Sequence, residues 1–186
     1  MQSGQIYVFA RPNGQPTRPK TDDDDRLVAT DAFHAQVHNA NGYEVSHVFT
    51  AIADGAYADL LIYVANGKEC HAEFAGAAGG DAFAYLYEGP TVSINGPTLT
   101  PVNLNRTSTN TATTLFYHTS TLTASGTALL IQMINGGQKN QSFGGATEAR
   151  NEWILKENTW YLARIQNKAG GAKNFNVSVA FYEEDE

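Results

Sequence analysis

Residues 82–88 read AFAYLYE, and the alternation within them decides the fold. Phe83, Tyr85 and Tyr87 fall on one side of an extended chain, with Ala84 and Leu86 on the other, which is the period of two of a β-strand. The same rhythm recurs in both directions. Upstream, ADLLIYVA (58–65) is a buried-strand run, CHAEFA (70–75) alternates again, and AGAAGGDA (75–82) reads as a flexible loop. Leu27–His38 and Tyr43–Ala53 suit two further strands, joined by a tight turn at NANG (39–42), because Asn and Gly tolerate positive φ. Downstream, TVSI, TLTPVNL, TTLFYHTSTL, ALLIQMI, EWIL, WYLARIQN and NFNVSVAFYEE continue the pattern. With QIYVF (5–9) this makes about a dozen short strands, each followed by a turn signal roughly every ten residues, as in a sandwich or barrel.

Only TALLIQMIN (127–135) has the length and composition of a short helix, and its SG and GG flanks suit a buried strand as well. No βαβ rhythm is present, which disfavours a parallel α/β fold. The expected class is all-β, an antiparallel β-sandwich of jelly-roll-like form with an extended N-terminal arm. Three prolines within ARPNGQPTRPK forbid regular structure over residues 10–25, so residues 1–26 form a first strand and a Pro-rich arm. Residues 27–186 form a single sandwich domain.

Composition narrows the function. A chain of 186 residues with 42% hydrophobic side chains can bury a core without staples. Only 17% of residues are charged, so much of the surface is neutral and polar. The net charge of −7, with no basic stripe, argues against nucleic acid as partner. The lone Cys70 excludes an internal disulfide and Cys-based zinc motifs. No signal peptide and no apolar run of about 20 residues are visible, so no membrane partner is expected. Without a secretory signal, the sequons at Asn105, Asn140 and Asn176 read as chance.

Each candidate chemistry meets a plainer alternative. FHAQVHNANGYEVSH gathers His34, His38, Glu44 and His47, as cupin-type metal sites gather His and Glu. On a strand, however, His34, Gln36 and His38 form one face opposite Phe33, Ala35 and Val37, an ordinary solvent face. The His-x-His pair is also missing, so no metal is assigned. Glu73, Asp81 and Glu88 lie in one region, as glycosidase carboxylates do, but at turn or solvent positions. Cys70 and His71, being adjacent, point to opposite faces and make no nucleophile–base pair. No catalytic residue and no cofactor are expected. The adjacent carboxylates Asp22, Asp23, Asp24 and Asp25 diverge too much for a Ca²⁺ loop and read as a solvated patch for docking. Tyr and Trp side chains leave a sugar-binding platform as the alternative function.

Three segments carry a family resemblance. They are AFAYLYEGPTVSINGPTLTPVNLNRTS (82–108), TLTASGTALLIQMINGG (121–137) and EWILKENTWYLARIQNKAGGAKNFNVSVAFYE (152–183). The L-Y-E-G strand end, the L-T-P-x-N-x-N-R segment, the T-x-T-x-x-G-T stretch and the C-terminal strand pair resemble virion structural proteins of tailed bacteriophages. FHAQVH (33–38) and SHVF (46–49) are similar too, so the resemblance covers most of the chain after residue 27. It implies a non-enzymatic capsid decoration or cement protein that binds the major capsid protein in a virion assembled in the bacterial cytoplasm. A homo-oligomer, dimer or trimer, is expected. The expected partner contacts are Arg11, Pro12, Arg18, Lys20 and Asp22–Asp25 on the arm, and Asn103, Asn105 and Arg106 in the turn-rich connection. The alternative is a carbohydrate-binding module of a phage head or tail fibre.

Overall fold

The computed structural model describes residues 8–9, 16–17, 32–135, 141–143 and 152–185. The arm positions Arg11, Pro12, Arg18, Lys20 and Asp22–Asp25 lie outside the described residues. Val8–Phe9 (β1), within the expected first strand, pairs antiparallel with Pro16–Thr17 (β2), a short strand inside the stretch expected to be irregular. Pro16 is the first residue of its strand, where a missing N–H is tolerated.

Where a strand is expected over residues 27–38, Ala32–His38 forms a helix (α1). Phe33 and Val37 are four residues apart, a spacing that satisfies one helix face as well as one strand face. The helix wins because those two side chains meet the sheet beneath it. The Phe33 ring lies 6.0 Å from that of Tyr182. Val37 packs onto Gly42, where a Cβ would stand only 2.8 Å from Val37 Cγ2. The following turn is the helix's own C-terminus: Asn39 and Asn41 donate their N–H groups to Ala35 and Gln36, and Ala40 takes the positive φ of 61°.

The rest is an antiparallel β-sandwich. One sheet has the order Thr127–Ile134 (β12), Ala82–Glu88 (β6), Thr159–Asn167 (β15), Tyr57–Val64 (β4), Leu115–His118 (β10) and Thr98–Leu99 (β8). The other runs Gln141–Phe143 (β13), Lys68–Ala78 (β5), Lys173–Asp185 (β16), Gly42–Ile52 (β3) and Val102–Asn103 (β9). Trp153–Leu155 (β14) also pairs with β5, and Thr91–Ile94 (β7) pairs with Thr121–Ala124 (β11). Two expectations change here. AGAAGGDA is mostly ladder, since β5 runs to Ala78 and β6 begins at Ala82. Its small residues stay extended because Ala75, Gly76, Ala77 and Ala78 are all paired with β16. TALLIQMIN is a strand, but it ends the sheet rather than lying inside it.

Period-two alternation sends one row of each strand into the space between the sheets. Val45 and Phe49 (β3), Val177, Val179 and Phe181 (β16), Leu60 and Ile62 (β4), and Tyr161 and Ile165 (β15) all belong to one buried cluster. Phe116 and Phe181 meet across the sandwich with ring centroids 5.0 Å apart. Gly126 (φ 87°) has no substitute at its turn, because a Cβ there would strike the Glu88 carbonyl. Both outward faces remain, and they differ sharply.

Candidate functional site

The outward face of the β12–β8 sheet is aromatic. Register places Phe83, Tyr85 and Tyr87 beside Gln166, Arg164 and Leu162, and Leu61 and Tyr63 beside Leu162 and Trp160. Leu61 and Leu162 have no exposed surface although they point away from the main core. A second apolar layer therefore covers this side. Trp160 lies 4.7 Å from Tyr63 and 6.0 Å from Tyr117 between ring centroids, and Tyr85 stacks on Tyr87 at 5.6 Å.

Arg164 is the polar centre of this face. Its Nε and Nη2 donate to the two Asp59 carboxylate oxygens, both at 2.7 Å, and Nη1 donates to Ser125 Oγ at 2.9 Å. The guanidinium carbon also lies 4.2 Å from the Tyr57 ring centroid. Burial works against the charge, but the hydrogen bonds and charge of Asp59 outweigh it and hold Arg164 above its ordinary value.

The apolar surface continues to the sheet edge. Ile131 stands opposite Tyr85 and Met133 opposite Phe83, and they are 62% and 61% exposed. Natural edge strands are commonly blunted by charge or proline. TALLIQMI contains neither, and its one irregularity is a register shift between Ala128 and Leu130.

The outward face of the other sheet is acidic. Glu69, His71 and Glu73 alternate along β5, and Glu184 and Tyr182 stand directly opposite Glu69 and His71 on β16. The Tyr182 ring stacks on His71 at 4.4 Å, and Glu152 Oε1 lies 2.6 Å from His71 Nδ1. Tyr182 donates its hydroxyl to the same Glu152 oxygen at 2.6 Å, while Gln36 of α1 donates to Glu184 Oε1 at 2.5 Å. Ligand atoms of Glu69, His71 and Glu184 all lie within 4.8 Å of one another.

Comparison with protein families, curated proteins and solved structures returns no match. The site must be read from its own geometry.

The residues singled out in the sequence scatter. Asn103 is buried: its Nδ2 donates to the carbonyls of Ala40 and Asn110, and its Oδ1 accepts from the Asn105 N–H. Asn105 in turn caps Thr107, accepting from its N–H and hydroxyl, and Arg106 Nη1 donates to the Asn103 carbonyl. This part of the connection is a self-bonded corner. His34 and His38 pair with each other on α1, with their Nε2 atoms 3.0 Å apart. His47 instead stacks on His118 at 4.0 Å, so the histidines weighed as a cupin-type cluster lie in two separate places.

Glu88 accepts from Lys156 Nζ at 2.8 Å and from the Tyr161 hydroxyl at 3.1 Å. The Lys156 hydrogen bond leads in lowering its pKa, against a smaller push from burial. A general acid needs the opposite direction. Burial raises the Cys70 thiol to about 12, which leaves it unreactive. The Glu69–His71–Glu184 cluster is absent from the sequence reading. Its Glu-x-His half, Glu69 and His71, is legible in KECHAEF, but Glu184 joins it only through the β5–β16 register.

Proposed function

We propose that this chain is a structural, non-enzymatic protein of a tailed-bacteriophage virion, a capsid decoration or cement protein that docks on the major capsid protein and stabilises the head. The observation that carries the reading is the aromatic face of Tyr85, Tyr87 and Trp160, gathered around Arg164, which continues onto the uncharged edge carrying Ile131 and Met133. Aromatic side chains with a central Arg are what protein interfaces enrich, and an unblunted edge invites a neighbouring chain. The opposite face is acidic and partly covered by α1. The motif resemblance supports the virion setting.

The finer fold reading is a jelly roll. Consecutive strands β3, β4, β5 and β6 alternate between the sheets, and the orders β3-β16-β5-β13 and β4-β15-β6-β12 suit two interleaved Greek keys. Viral capsid domains and lectins both use that architecture. The edge also suits a symmetric homo-oligomer, dimer or trimer, in which equivalent apolar strips meet.

Calibrated mass spectrometry of purified virions tests the role. The expected result is a fixed, near-stoichiometric ratio to the major capsid protein, lost when Ile131→Glu and Met133→Glu are introduced together. Absence from the particle would overturn the assignment. A carbohydrate-binding module is the second reading, favoured by the Tyr63–Trp160–Tyr117 ring cluster. It predicts glycan binding that Trp160→Ala abolishes, with only a few copies per particle.

A further inference from the structure

We infer that Glu69, His71 and Glu184 form a binding site for one divalent cation of the zinc class, clamping β5 to β16. The site stands independently of the virion reading. Three observations carry it.

The first is the state of His71. Glu152 Oε1, 2.6 Å from Nδ1, accepts the proton on that nitrogen, so in the neutral ring the lone pair sits on Nε2. Metal-bound histidines are held this way, with the far nitrogen donating to a carboxylate. Tyr182 fixes the arrangement by stacking on the ring and donating to the same carboxylate oxygen.

The second is an unanswered atom. His71 Nε2 is buried and makes no hydrogen bond. It faces Glu69 Oε2 at 3.5 Å. A lone pair aimed at a carboxylate is repulsive unless a cation lies between them. Two ligands bound at roughly 2.0–2.1 Å in tetrahedral geometry stand about 3.3 Å apart, close to this separation.

The third is charge. Glu69 and Glu184 are directly opposed across the ladder, where like charges destabilise a sheet. A cation ligated by both carboxylates removes that repulsion, and Gln36 already orients Glu184 from α1. One imidazole with two carboxylates selects a borderline ion such as Zn²⁺ over Ca²⁺ or Mg²⁺, which take all-oxygen sites. Three protein ligands leave a position for water.

The test uses full-length protein stripped with a chelator and dialysed. Zn²⁺ is then titrated by calorimetry and by thermal unfolding near neutral pH. The expected result is one ion per chain at this site and a rise in Tm of roughly 5–10 °C at a hundredfold excess over Kd. Glu69→Gln and Glu184→Gln should each weaken binding about 10–100-fold while leaving the metal-free Tm unchanged or higher. A His34→Ala/His38→Ala variant, which removes the histidine pair on α1, should keep the site. Zn²⁺ producing no shift, or binding that survives both Gln substitutions, would overturn the inference.

Discussion

Asp59 and Arg164 offer the most direct measure of how the aromatic face is held. Both side chains are only 12% exposed, and they share two 2.7 Å bonds in the fork geometry that makes Arg–carboxylate pairs strong. Asp59→Val leaves the guanidinium buried with Nε and Nη2 unanswered. At about 1.5–3 kcal/mol for each hydrogen bond to a charged group, the loss is about 3–6 kcal/mol, in line with the ~3–5 kcal/mol typical of half-broken buried pairs. For a chain of this size that lowers Tm by roughly 6–24 °C. Arg164→Met removes the other half and leaves a carboxylate uncompensated, at similar cost. The double variant removes both charges and should recover to within about 1–2 kcal/mol of the parent. Urea and thermal unfolding followed by circular dichroism on all four proteins complete the cycle. A loss below about 1 kcal/mol for Asp59→Val would refute the reasoning, since that is the behaviour of a solvent-screened surface pair.

Three further outcomes follow from buried or half-buried groups elsewhere. Glu183 is buried and accepts from the Thr113 and Thr114 N–H groups at 3.0 and 2.6 Å, so Glu183→Ala strands two backbone donors and should cost about 2–5 kcal/mol in urea unfolding, with Glu183→Gln intermediate. Burial, followed by the charge of His118, lowers the His47 pKa below 6.5. The unfolded chain then binds more protons below that value, so this contribution is intact above pH 6.5 and is lost as pH falls through the lowered folded value. Tm followed from about pH 8 to about pH 5 should therefore fall more steeply for the parent than for His118→Gln, and equal slopes would remove the coupling. Cys70, its thiol raised to about 12, should react with a disulfide reagent only on unfolding; rapid modification of the native protein would contradict its burial.

Most strands were legible because alternation and burial agree in them. In β4, Leu60 and Ile62 point inward as the pattern requires, and in β6 Ala84 and Leu86 do the same. Where residues satisfy two patterns at once, the sequence is mute. In AFHAQVH the positions of Phe33 and Val37 fit both a strand and a helix, and contacts with Tyr182 and Gly42 decide between them. AGAA resembles a loop because its residues are small, although ladder bonds to β16 extend it. The apolar run of β12 reads as interior, since composition cannot tell a core from an unpartnered edge. The cation cluster was hidden for a topological reason: its second strand enters from the far end of the chain.

That late entry has a consequence for synthesis. β3 and β5 do not bond to each other; β16 lies between them and pairs with both along most of its length. Both flanking strands leave the ribosome long before β16 does. During that interval each shows a bare ladder edge, and Val45, Phe49 and Ala72 lack their lateral neighbours Val179, Phe175 and Phe181. Closure is thus an insertion event between two waiting strands, a non-local step of the kind that slows folding and favours capture by chaperones or by other nascent chains.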